Sequence, residues 1–151
     1  MRNFMLSAFV DEYADSFDEQ LSGLLQFGIR NIELRHLDGR NISVLSKKEI
    51  EEAKRKMDIA GIKASAIGSP IGKISLADDF EAHKDDFKRL LETAEILGAD
   101  KIRMFSFFPV KGMEETALRE AVYERISALL SLTPDSVTLC HENEKEIFGE
   151  N

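Results

Sequence analysis

Three times along the chain a glycine closes an amphipathic stretch and opens a short apolar run. The segments are Phe27-Gly28-Ile29-Arg30-Asn31-Ile32-Glu33-Leu34, Ala60-Gly61-Ile62-Lys63-Ala64-Ser65-Ala66-Ile67 and Leu97-Gly98-Ala99-Asp100-Lys101-Ile102-Arg103-Met104. The glycines stand 33 and 37 residues apart, about the size of one strand-plus-helix unit. Glycine suits the left-handed residue that ends a helix, where a Cβ would clash with the backbone.

Between these marks the helices announce their starts. Ser16-Phe17-Asp18-Glu19 and Ser46-Lys47-Lys48-Glu49 both read as capping boxes, with a serine oxygen for an early amide and a glutamate reaching back. Asp78 or Asp79 serves before Phe80-Glu81, and Glu114 and Glu115 suit the first turn of a fourth helix. Leu21, Leu24 and Leu25 form one apolar stripe, and Phe80, Phe87, Leu90, Leu91, Ala94 and Leu97 another. Apolar strands are expected at Phe4–Val10, Asn31–Arg35, Lys63–Gly68, Lys101–Phe107 and Ser136–His141, the last after a Pro134-Asp135 turn. Strict strand–helix alternation means parallel strands with right-handed crossovers. An open doubly wound sheet should carry G-x-G-x-x-G after its first strand. Here Asp11-Glu12-Tyr13-Ala14-Asp15 follows instead and would repel a pyrophosphate. The expected fold class is therefore α/β: a partial TIM barrel of five parallel strands and four intervening helices, left unclosed by this chain, with residues 1–151 as one domain.

Bulk properties narrow the functional classes. Apolar residues at 43% and charged residues at 32% exclude a disordered chain. The net charge of −8, with no basic cluster beyond Lys54, Arg55 and Lys56 on one helix face, argues against a nucleic-acid partner. No apolar run reaches the roughly 20 residues needed to cross a bilayer, and the opening residues read as a strand in preference to a signal peptide. A single cysteine, Cys140, fits a reducing cytoplasm and is expected as a small core residue.

In a TIM barrel the site is assembled at the C-terminal strand ends. Those ends carry Asp11 and Glu12; Glu33, Arg35 and His36; Gly68-Ser69-Pro70-Ile71-Gly72-Lys73; Arg103 and Ser106; and His141-Glu142-Asn143-Glu144. Glu33 and Arg35 share a strand face and can form an ion pair as readily as a catalytic group. Two glycines beside Lys73 favour close backbone approach and a functional loop, although Gly68 to Gly72 lacks the Walker spacing. Read from the residues alone, Glu142 and Glu144 compete for the inward-facing position. By alternation His141 points away from Glu142, and His83, on a charged helix, is expected at the surface.

The runs Ile32-Glu33-Leu34-Arg35, Ser65 to Lys73, Arg103-Met104-Phe105-Ser106-Phe107 and Leu139-Cys140-His141-Glu142-Asn143-Glu144 resemble the sugar phosphate isomerase/epimerase family, part of the xylose isomerase-like TIM barrels. The resemblance spans nearly the whole chain as the N-terminal part of that barrel. It implies a metal-dependent isomerase or epimerase of a sugar or sugar phosphate, working by proton transfer between adjacent carbons. Glu142 would be a catalytic carboxylate and a ligand of Mn²⁺, Mg²⁺, Zn²⁺ or Co²⁺, and an Asp, a His and a Glu of later strands would complete the set. Glu33, Arg35, His36, Ser69, Lys73, Arg103 and Ser106 would contact the substrate, with Lys73 or Arg103 holding any anionic group. No strand bearing those other ligands lies in this sequence, so the expectation is a truncated, inactive half that binds no metal tightly and buries its open face by self-association or against a partner. A non-catalytic binding or assembly domain is the alternative; an endonuclease IV-like repair enzyme is the weakest reading, given the acidic charge.

Overall fold

The computed structural model describes residues 4–150. Helices α1 (Phe17–Gln26), α2 (Lys47–Ala60), α3 (Phe80–Leu97) and α4 (Glu115–Leu132) alternate with the parallel strands β1 (Asn31–Leu34), β4 (Lys63–Gly68), β5 (Lys101–Met104) and β6 (Thr138–His141). A short antiparallel hairpin, β2 (His36–Leu37) and β3 (Arg40–Asn41), follows β1. The large sheet runs β1-β4-β5-β6, all parallel. Each crossover therefore lands one strand further in the same sense, which puts the helices on one face, as in a barrel and unlike a doubly wound sheet. The sheet is not closed among the described residues.

Ile32, Leu34, Ile67, Ile102 and Met104 point from the sheet towards the helices and are at most 2% exposed. Phe87, Leu90, Ala94 and Leu97 of α3 meet them as the expected stripe, each at most 3% exposed. On the other face Glu33, Ser65, Arg103 and Cys140 are only half-buried.

Several expectations change. Phe4–Val10 forms no ladder: Ala8 bridges Ile32 alone, with Glu33 N–H donating to the Ala8 carbonyl at 2.9 Å, while Phe4, Met5 and Leu6 stay exposed. Strand β5 stops at Met104, short of Phe107, because the backbone beyond it pairs with a different neighbour. Phe105 N–H donates to Ile71 O at 2.7 Å and Phe107 N–H to Gly72 O at 2.9 Å, so the loop after β4 takes these bonds. Ser46 makes its capping box with Glu49, and Asp79 caps α3. The Ser16 side chain makes no cap bond; Phe17 N–H instead donates to Asp38 Oδ1 at 2.8 Å, from the turn of the hairpin. That hairpin was unforeseen, although Asp38-Gly39, both at positive φ, is a strong hairpin signal. His83 is buried, not at the surface, and Cys140 is half-buried on the open face.

Candidate functional site

The strand order brings the polar tips to one rim, where they surround a cleft of about 370 Å³ lined by Arg35, His36, Asn41, Pro70, Lys73, Arg103, Glu142 and Glu144. Aromatic rings back its cations. The Phe9 ring lies 5.0 Å from the Arg35 guanidinium carbon and 5.7 Å from that of Arg103. Gly68 makes room for it: a Cβ there would stand 2.7 Å from the Phe9 ring and 3.1 Å from Arg35 Cβ. On the far side Arg103 and Lys73 both lie over Phe105, at 4.7 and 4.3 Å.

The loop carrying Lys73 is tied down from several directions. Gly72 sits at φ 86°, and a Cβ there would lie 2.0 Å from Phe105 O, so only glycine fits. Gly72 N–H donates to His83 Nε2 at 2.9 Å. Burial, helped by the Arg125 charge, holds the His83 imidazole below its ordinary pKa against the raising effects of Asp86 and Asp78. Arg125 of α4 donates to the carbonyls of Ser75, Leu76 and Asp78 at 3.1, 2.8 and 3.2 Å.

Charge in the cleft is arranged in pairs. Arg35 Nε donates to Asp11 Oδ2 at 2.7 Å and Arg35 Nη2 to Glu12 Oε1 at 3.1 Å. His36 Nδ1 lies 2.8 Å from the same Asp11 oxygen. Arg103 Nη1 donates to Glu142 Oε2 at 3.1 Å and Nη2 to Ser69 O at 3.2 Å. Lys73 Nζ meets Glu144 Oε2 at 2.5 Å in an ion pair. Desolvation raises the Asp11 pKa, but the hydrogen bonds from Arg35 and His36 and their charges outweigh it and keep the carboxyl below its ordinary value. The bond from Asp11 in turn raises Arg35.

Of the residues expected to contact a substrate, Arg35, His36, Lys73 and Arg103 do line the cleft, beside Glu142. Ser69 and Ser106 do not: they are 0% and 2% exposed. The Ser69 hydroxyl bonds Arg103 O and Ile71 N, and that of Ser106 bonds Phe148 O. Both therefore hold backbone in place. Glu33 is half-buried on the open face of β1, away from the cleft lining. Its possible pairing with Arg35 is replaced by Asp11 and Glu12, because Phe9 to Glu12 passes closer to the guanidinium. Both acidic candidates after β6 reach the rim, each against its own cation. Asn41 lines the cleft without having been foreseen, and Asp11 stands behind the lining against Arg35 and His36. Asp11 was legible as a strand-end carboxylate, whereas Asn41 arrives only through the hairpin, opposite His36.

A divalent metal requires several convergent donors. Among the described residues no three His, Cys, Asp or Glu side chains gather in a group able to hold one, and Glu142 already faces Arg103. These residues do not by themselves fit a metal site. Also among the described residues, no helix is long and apolar enough to cross a membrane.

Comparison with known proteins adds a frame to this geometry. A family model described as xylose isomerase-like TIM barrel matches residues 23–150. Among curated proteins no match was found. The chain is similar in structure to the probable 3-DHS dehydratase AsbF of Bacillus anthracis, involved in petrobactin synthesis, with a TM-score of 0.74, 18% identity, and coverage of 95% of this chain and 54% of that one. It is also similar to D-psicose 3-epimerase of Clostridium cellulolyticum H10 with D-tagatose, with a TM-score of 0.70, 16% identity, and coverage of 95% and 55%. A xylose isomerase-like TIM barrel protein of Mycobacterium smegmatis in complex with magnesium gives a TM-score of 0.64, 21% identity, and coverage of 86% and 47%. The chain spans about half the length of these solved structures.

Proposed function

The chain belongs to the xylose isomerase-like TIM barrel family, and from that premise we propose that its cleft belongs to a metal-dependent sugar isomerase or epimerase. The observation that carries the reading is the convergence of Arg35, His36, Lys73, Arg103, Glu142 and Glu144 on one cleft at the C-terminal rim of a progressive parallel sheet. Such a cleft offers what proton transfer beside a carbonyl needs: carboxylates and an imidazole to move protons, and cationic donors to hold hydroxyl and carbonyl oxygens. The substrate is an unphosphorylated sugar. Arg35, Lys73 and Arg103 each already face a carboxylate, so a phosphate would have to displace an ion pair, whereas neutral hydroxyls can join the existing network. Toward such a metal Glu142 would supply a single carboxylate, at present paired with Arg103.

Incubation of the protein with D-fructose in D₂O, with Mn²⁺ or Mg²⁺, tests the reading. Deuterium at the carbon beside the carbonyl, read by NMR, is the expected result for the protein with its barrel complete. A sequence beyond residue 151 that continues in frame with Asp, His and Glu at successive strand ends would support it, and a completed barrel that exchanges nothing with any ketose would overturn it. The half-buried open face is covered by self-association of this chain. Light scattering should report a dimer, and a compact monomer would refute that part.

A further inference from the structure

We propose that His36 is the group of the cleft that takes and returns a hydroxyl proton, with Asp11 as its positioning residue. The inference deepens the sugar reading and rests on it for the substrate class, a polyhydroxylated carbonyl compound. Its structural basis is separate and starts with Asn41. The β2–β3 register sets Asn41 opposite His36. Asn41 Oδ1 accepts from Ser43 N–H at 3.0 Å and from Ser43 Oγ–H at 2.7 Å. Those two bonds fix the orientation of the amide, so its NH₂ group is the part that faces His36 Nε2, at 3.5 Å. A donor facing Nε2 requires a lone pair there. The opposite nitrogen reaches the same conclusion independently: Asp11 Oδ2, 2.8 Å from Nδ1, is a carboxylate oxygen that can only accept. His36 is thus the Nδ1–H tautomer with a basic Nε2.

The arrangement differs from a histidine that is merely tied into the fold. At 3.5 Å the Asn41 contact is at the outer limit of a hydrogen bond, so the Nε2 lone pair is available to a ligand. The His36 side chain is 38% exposed and reachable, whereas Asp11 is 8% exposed and locked by Arg35 Nε at 2.7 Å. Asp11 Oδ1 is buried and has no hydrogen-bond partner among the described residues, so Oδ2 alone holds both Arg35 and the ring. By contrast His83 is 6% exposed and its Nε2 is occupied by Gly72 N–H. In the step itself the substrate O–H bond breaks, its electron pair stays on oxygen, and an Nε2–H bond forms. Asp11 offsets the imidazolium charge without taking the proton, and the reverse step restores both groups.

The test uses the whole chain labelled with ¹⁵N-histidine and long-range ¹H–¹⁵N NMR, with His36→Gln assigning the ring. The expected spectrum has a protonated Nδ1 and an unprotonated Nε2 for neutral His36. D-Fructose should move the Nε2 resonance of His36 and leave the His83 ring unmoved. Asp11→Asn should mix the tautomers, because an amide can turn its NH₂ towards Nδ1. Asn41→Ala, which leaves Asp11 in place, should retain the tautomer and so separates a lost partner from a lost fold. Where deuterium exchange into the ketose is measured, His36→Gln should slow it by about 10²-fold or more with KM little changed. An Nε2–H tautomer in the unmodified chain, or an Nε2 resonance that stays still at saturating D-fructose, overturns the inference. Absence of exchange alongside the expected tautomer and sugar response defeats the isomerase reading and leaves the proton-holding pair standing.

Discussion

The two faces of the parallel sheet are built from the same strands and differ in almost everything else. Towards the helices, Ile32, Leu34, Ile67, Ile102 and Met104 are closed off, and their burial carries the stability of the fold. Towards the other side, Glu33, Arg103 and Cys140 alternate with them and stay half-buried, and half-buried Ser65 stands at the irregularity in the β1–β4 register. One residue step along a strand thus separates packing from chemistry. The lesson is that the polar cleft groups stand on positions the core does not need, at the rim where the sheet's ladder gives way to loops.

The comparison can be strained most by emptying the covered face. Phe87→Ala, at a side chain 0% exposed, should cost about 3–5 kcal/mol in urea unfolding. Ser65→Ala on the open face removes bonds to Ile32 O and Ser7 and should cost about 1 kcal/mol or less. Equal losses would mean that the open face is packed in solution. Below the Phe87 loss comes the junction of the two regions: Gly72→Ala forces a Cβ onto Phe105 O at a positive φ and should lose about 2 kcal/mol. Gly39→Ala, at a similar φ with open space around it, should lose about 1 kcal/mol. Smaller again is the rim pair Arg103–Glu142, whose side chains are 16% and 46% exposed. A double-mutant cycle with Arg103→Gln and Glu142→Gln should give a coupling of about 0.5–1 kcal/mol that falls with added salt.

The mildest intervention is pH, and it separates the two sides by the window in which each contribution is lost, both on acidification. Burial keeps His83 below its ordinary pKa of 6.5 in the fold, so its contribution is complete above that value and is lost as pH falls below it, when the unfolded chain takes the proton first. Asp11 is held below its ordinary 3.8; its contribution is present above 3.8 and disappears only as pH falls through the lowered value. Acid unfolding followed by fluorescence-free methods such as circular dichroism should therefore begin with His83. His83→Gln should flatten the upper limb and Asp11→Asn the lower, and a single limb removed by neither would contradict both assignments.

Much of the fold was legible because its signals are local. Gly61 and Gly98 do end helices in the left-handed conformation, and strand β4 has the bounds its apolar run implied. The limits of locality show in the two serine boxes. Ser16-x-x-Glu19 and Ser46-x-x-Glu49 are the same motif, yet only the second forms, because the hairpin turn delivers Asp38 to the start of α1. The site divides in the same manner. Cleft residues at strand ends, such as Arg35, Arg103 and Glu142, follow from alternation and topology. Ser69 and Ser106 stand at the same strand ends, and their hydroxyls bond neighbouring carbonyls, a pairing that no local pattern encodes.

By itself the sequence determined the four helices, the parallel order of the strands between them and the end of the sheet at which polar groups collect, since helix caps, apolar periods and crossover handedness act over short stretches of chain. Which of those polar groups meet was decided only in three dimensions. Asp11 grips both Arg35 and His36 across more than twenty residues of chain, and Asn41 faces His36 through a turn. Hydrogen bonds and ion pairs act over a few ångströms, so the partner of each group depends on which backbone passes beside it.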